Sequence, residues 1–171
     1  ENDDEVGWAR TRIGRVFICI EVSRKDTALN EAAQAREILI RHEKWDRLVM
    51  LEMNIGVVHD FLGEYQSSLV HYQQAVDYAL KLGDEASGYL SVLYINMGFA
   101  YQGLGQLREA LKIYQKAQEL LSERGDLGVL ALVRLNIASV LQMQGHYRRA
   151  LITFHQVVDE IKTRLPSEAP A

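Results

Sequence analysis

Five histidines (His42, His59, His71, His146 and His155) and one cysteine, Cys19, are the side chains suited to acid–base, metal or thiol chemistry near neutral pH. Their spacing gives that chemistry little support. No His-Glu-x-x-His motif occurs. His155 and Asp159 lie four apart, which on a helix makes an ordinary surface pair as readily as two metal ligands. His59 next to Asp60 reads as a binding or packing element rather than an acid–base pair. Cys19 has neither a neighbouring histidine nor a basic helix terminus to activate it. Phosphate-binding glycine loops and nucleophile elbows are absent. No catalytic, cofactor or metal residue is expected, and the chain is not read as an enzyme.

What recurs instead is an amide. Asn54, Asn96 and Asn136 fall 42 and then 40 residues apart, and the sequence around them recurs too. The segments beginning NIGVVHDFLGEY, NMGFAYQGLGQL and NIASVLQMQGHY align without a gap. Gly63, Gly105 and Gly145 keep the same spacing, each between two periodic apolar stretches, where a left-handed residue ends one helix and turns into the next. Gly56, Gly98 and Ala138 coincide, as do Ser68, Ala110 and Ala150, and then Tyr72, Tyr114 and Phe154. Small residues on two facing helices let the axes approach, and an aromatic four residues later on the same face fills the gap. Both prolines, Pro166 and Pro170, stand in the last six residues, so nothing breaks helices before them.

The elements that must position these residues are therefore antiparallel helix pairs. Eight helices are expected near 5–20, 28–43, 46–62, 65–82, 85–103, 107–123, 127–143 and 147–164. They form a degenerate repeat over 6–45, repeats over 46–83, 84–125 and 126–164, and a flexible tail over 165–171, all in one domain. In the degenerate copy Arg12, Ile13 and Gly14 take the places of Asn54, Ile55 and Gly56, and VSRKDTALN lengthens the turn. Arg124-Gly125-Asp126 occupies the place of Leu82-Gly83-Asp84, which makes it a repeat turn rather than an adhesion motif.

Net charge is −4 over 171 residues, so no global field favours nucleic acid or an anionic membrane. A basic series, Arg108, Lys112 and Lys116 with Arg148 and Arg149, is diluted by Glu109, Glu119 and Glu123 and reads as a solvated outer face. A single cysteine forms no intrachain disulfide, and no apolar run approaches 18 residues. The expected location is cytoplasmic. The chain opens on Glu1 rather than Met, and a fragment of a larger protein is expected.

The pattern of small residue, glycine, tyrosine, alanine and aromatic resembles the tetratricopeptide repeat. Its usual proline after the second helix is replaced by LGDE and RGDL, and the period is 40–42 rather than 34, a longer type similar to that of kinesin light chain, GoLoco-containing spindle adaptors and bacterial sensor domains. The resemblance implies an all-α, right-handed superhelical solenoid of about four repeats, whose concave groove holds an extended peptide or partner segment in an adaptor or regulatory role. It also implies that Arg12, Asn54, Val57, Asn96, Phe99, Gln102, Asn136 and Gln142 line that groove. A ladder of carboxamides offers donors and acceptors to a peptide main chain. The competing assignment is that the asparagines bond a neighbouring helix backbone or solvent.

The last helix carries more apolar positions than one partner helix requires, and the chain then turns into LPSEAPA with no polar capping helix. Phe154, Val158 and Ile161 are the expected sticky edge. Two partner readings follow: a protein or peptide in the groove, or a second copy on this edge in a structural self-association module. Neither nucleic acid nor membrane is expected.

Overall fold

A computed structural model describes residues 2–21 and 25–164. The side chain of Cys19, part of the expected turn insertion and the tail 165–171 lie outside the described residues. The helices are α1 (Asn2–Glu21), α2 (Lys25–Arg41), α3 (Trp45–Phe61), α4 (Tyr65–Ala79), α5 (Ala86–Gly103), α6 (Leu107–Arg124), α7 (Leu127–Met143) and α8 (Tyr147–Arg164). A 3₁₀ segment, Leu80–Glu85, lies between α4 and α5, an element that the expected count of eight helices omits. Gly83 breaks the helical path there at φ 60° and ψ −125°. Lys81 fixes the segment to the start of α3, its Nζ 3.8 Å from the centre of the Trp45 ring.

The turns follow from glycine. Gly105 sits at φ 70°, a left-handed conformation that costs a residue without Cβ nothing, and the next amide, Gln106 N, donates back to Tyr101 O at 2.9 Å. Gly63 and Gly145 close their pairs in the same way. Between α2 and α3 the left-handed residue is Glu43, at φ 51°.

Consecutive helices pack on one another, and α3 also touches α1 and α5, as expected of stacked pairs. The centre of the α3–α4 pair and of the α5–α6 pair is a ring pressed against a glycine. Tyr72 and Tyr114 are fully buried, and a Cβ placed on Gly56 or Gly98 would lie 2.4 Å from the facing ring. In the last pair Phe154 is half-buried against the apolar cluster that runs from α6 to α8.

A charged group is built into this stack. Glu52 on α3 is fully buried. It accepts from the Arg36 guanidinium on α2, with Nη2 at 3.0 Å, and pairs with His71 Nδ1 on α4 at 2.8 Å. Burial alone pushes its pKa up, but the hydrogen bonds from His71 and Arg36, with their charges, outweigh this and hold it below the usual carboxylate value. The His71 ring stacks on His59 at 5.2 Å, and His59 Nδ1 lies 2.6 Å from Glu64.

Two predictions follow from this packing. Gly98→Ala lowers stability by about 1–3 kcal/mol through overpacking against Tyr114. Gly14→Ala, in the same repeat column but with nothing within 4 Å of its Cβ, raises stability by about 0.5–1 kcal/mol through helix propensity. Paired thermal melts check the opposite signs. Glu52→Ala leaves Arg36 and His71 without their acceptor and costs about 3–5 kcal/mol at neutral pH. Because the folded-state pKa of Glu52 lies below the unfolded one, its stabilisation is present above about pH 4.3 and is lost as pH falls through the folded value. Urea melts of wild type and variant therefore converge in acid.

Candidate functional site

The first helices of the pairs, α3, α5 and α7, share a face because the repeat brings the same positions into register. Between α3 and α5 this face encloses a cavity of about 270 Å³ lined by Val57, Asp60, Phe61, Tyr72, Asn96 and Phe99. Five residues that the family resemblance places in the groove, Val57, Asp60, Phe61, Asn96 and Phe99, meet here. Phe61 and Phe99 are 74% and 54% exposed, an unusual state for rings beside a cavity. Phe99 also meets Tyr65 edge-on at 6.1 Å. Val92, Leu132 and Met143 continue the exposed apolar surface along α5 and α7.

The cavity floor is a hydrogen bond that the sequence reading missed. Tyr72 donates its hydroxyl to Asp60 Oδ2 at 2.6 Å, and one repeat later Tyr114 donates to Gln102 Oε1 at 2.7 Å. The signal was an acceptor twelve residues before a tyrosine in two repeats. Burial raises the Tyr72 pKa, and the Asp60 bond raises it further. Burial also raises Asp60, against the nearby Ser68 hydroxyl, the Tyr72 hydrogen bond and the charge of His59.

The expected ladder is not uniform. Asn54 donates Nδ2 to Ile13 O on α1 at 2.9 Å, so here the competing assignment of a bond to a neighbouring helix backbone holds. Among the described residues Asn96 and Asn136 make no such bond. Arg12 differs from the asparagines. It pairs with Glu31 of α2 at 3.3 Å and lies 4.6 Å over the Trp8 ring. A second cavity of about 450 Å³, between α1 and α3, is lined by Arg10, Thr11 and Arg47 with Asn54 but not by Arg12. Gln102 spends its amide on Met143 Sδ at 3.6 Å as well as accepting from Tyr114, whereas Gln142 is exposed.

At the far end Val158 and Ile161 are exposed, whereas Phe154 is half-buried and packs against the core of the last helices. His155 and Asp159 are both exposed and make no ion pair among the described residues. Arg124-Gly125-Asp126 is a turn: Gly125 is left-handed and Asp126 caps α7 by accepting from Val129 N at 3.4 Å. No group of three His, Cys, Asp or Glu among the described residues is placed to hold a metal ion, and none of these helices is long and apolar enough to cross a membrane.

Residues 89–159 match the tetratricopeptide repeat family. No curated protein matches the sequence. Several solved structures share the fold at identities that speak for fold alone. BtubC (BKLC) from P. vanneervenii is 17% identical with a TM-score of 0.80, covering all of this chain and 68% of that one. A Rap protein complexed with competence and sporulation factor is 18% identical with a TM-score of 0.73, covering 91% of this chain and 43% of its own. A kinesin-light-chain-like protein from Podosopora anserina with nearly identical TPR-like repeats is 17% identical with a TM-score of 0.70, covering 94% and 78%. This chain thus spans less than half of the Rap protein. Its described residues form an all-α, TPR-like solenoid, and residues 89–159 match the tetratricopeptide repeat family.

Proposed function

We propose that the chain is a cytoplasmic, non-catalytic scaffold whose α3–α5–α7 face holds an extended segment of a partner protein, in an adaptor or regulatory role. The observation that carries this reading is the cavity between α3 and α5, where the unbonded Asn96 carboxamide stands beside exposed Phe61 and Phe99. An extended main chain needs donors and acceptors to replace its water, and its side chains need apolar ground. The Rap protein, similar in fold, was solved with competence and sporulation factor, which lends the reading support by analogy. Asn54, tied to Ile13, and Arg12, tied to Glu31, serve the scaffold.

The test uses peptides selected from a random library against the wild-type chain. Asn96→Ala with Asn136→Ala weakens their binding at least tenfold and leaves far-UV helicity intact. Unchanged binding sinks the reading.

A second reading, self-association through α8, rests on a comparison within the repeat columns. Val76 on α4 and Leu121 on α6, covered by the next helix, are 6% and 2% exposed, whereas the equivalent Val158 and Ile161 on α8 are 42% and 43% exposed. If this stripe drives assembly, light-scattering mass rises over a hundredfold concentration range, and Val158→Asp with Ile161→Asp restores 19.5 kDa. A constant monomer mass in the wild type discards it.

A further inference from the structure

The cavity between α3 and α5 carries a charge imbalance. Its lining contains one ionisable carboxylate, Asp60, and no lysine or arginine. Tyr72 bonds one oxygen, Oδ2, while Oδ1 is buried without a hydrogen-bond partner. The Ser68 hydroxyl, close enough to influence Asp60, gives its proton to Tyr65 O at 2.8 Å. His59, its neighbour on the same helix, is engaged by Glu64 and by the His71 ring. A partly buried carboxylate with so little compensation favours a cation supplied from outside.

The rest of the lining says which cation. At about 270 Å³ the cavity is smaller than the roughly 300–1,000 Å³ that enclose a whole small molecule, and it suits one side chain. Its rim is Val57 with the rings of Phe61 and Phe99, apolar ground for a methylene stem and π faces for a planar cation. Asn96 adds a carboxamide oxygen that accepts from a second N–H. A guanidinium, planar, with five donors and weakly hydrated, uses all of these features, whereas an ammonium uses the charge alone.

We infer that this cavity is a specificity subsite for an arginine side chain of the bound segment, its stem lying against Val57, Phe61 and Phe99 and its guanidinium directed to Asp60 and Asn96. The inference rests on the proposed groove reading and names the ligand that the groove selects. It assigns Asp60 a recognition role besides its bond to Tyr72.

The experiment titrates the isotope-labelled full chain with acetyl-Gly-Ala-Arg-Ala-Gly-amide. The comparison peptides carry citrulline, lysine, leucine or glutamate in place of arginine. Expected are saturable shifts of the Val57 methyls and the Asn96 side-chain amide with the arginine peptide. The citrulline peptide, the same shape without charge, binds at least tenfold more weakly, and lysine falls between. Added salt weakens the arginine peptide and leaves the leucine peptide unchanged. Asp60→Asn keeps an acceptor for Tyr72 and removes the preference for arginine over citrulline. The ligand-side comparison stands even if that variant folds poorly. Leucine or glutamate peptides binding as tightly as arginine overturn the inference while leaving the groove reading intact, provided that their shifts map to Asn96 and Asn136. If no peptide moves these resonances, the inference and the groove reading fall together.

Discussion

The distance between the two helices of a pair is set by a missing methyl group. At Gly56 and Gly98 the first helix has no Cβ, so a tyrosine ring from the second helix enters the space where one would stand. A mid-helix glycine costs about 1 kcal/mol against alanine. Burying a ring removes roughly 150–250 Å² from water, about 4–6 kcal/mol as an upper estimate at 25 cal/mol per Å². Burial therefore outweighs the glycine cost several-fold. The same insertion carries the hydroxyl through to the far side, where Asp60 and Gln102 accept it. The floor of the candidate site is thus a by-product of pair packing, and it is rigid because the core holds the ring.

Packing between pairs has a different source of order. Apolar contacts between stacked helices tolerate small sliding, whereas hydrogen bonds to a buried carboxylate do not. Glu52 joins α2, α3 and α4 through Arg36 and His71 and so fixes three helices at one point. Its position on α3, two residues before Asn54, ties the alignment of the first pair to that of the site. The Asn54 bond to Ile13 O acts in the same direction from the other face.

Much of this was legible because steric rules repeat. Glycine at each turn, small residues at contact points and aromatics beside them gave the helices, with limits within three residues of those observed. The 3₁₀ segment was not legible, because Leu80–Glu85 continues an apolar pattern that only the φ of Gly83 interrupts. Glu52 was missed since its column holds Tyr94 and Arg134 in the next repeats, and a charge without a column partner looks like surface. Register alone puts Arg12 in the Asn54 column, and it says nothing of Glu31, nineteen residues on, with which Arg12 pairs. Register specifies where a side chain starts. Its partners decide where it points.

The floor also changes character along the chain. Asp60 with Tyr72 is anionic and bonded, Gln102 with Tyr114 is neutral and bonded, and Gln142, facing a column where Phe154 has no hydroxyl, is neutral and unconstrained by it. Three identical rungs would hold an extended segment equally well in either direction, since main-chain donors and acceptors alternate both ways. Rungs that differ in charge remove that symmetry. A segment with one cationic residue gains at the α3–α5 cavity and nowhere else on this face, so its direction and register are fixed by a single side chain while the amides contribute to affinity without regard to sequence. Selectivity and affinity then reside in different columns of the same repeat, and a repeat protein separates them by changing one rung at a time.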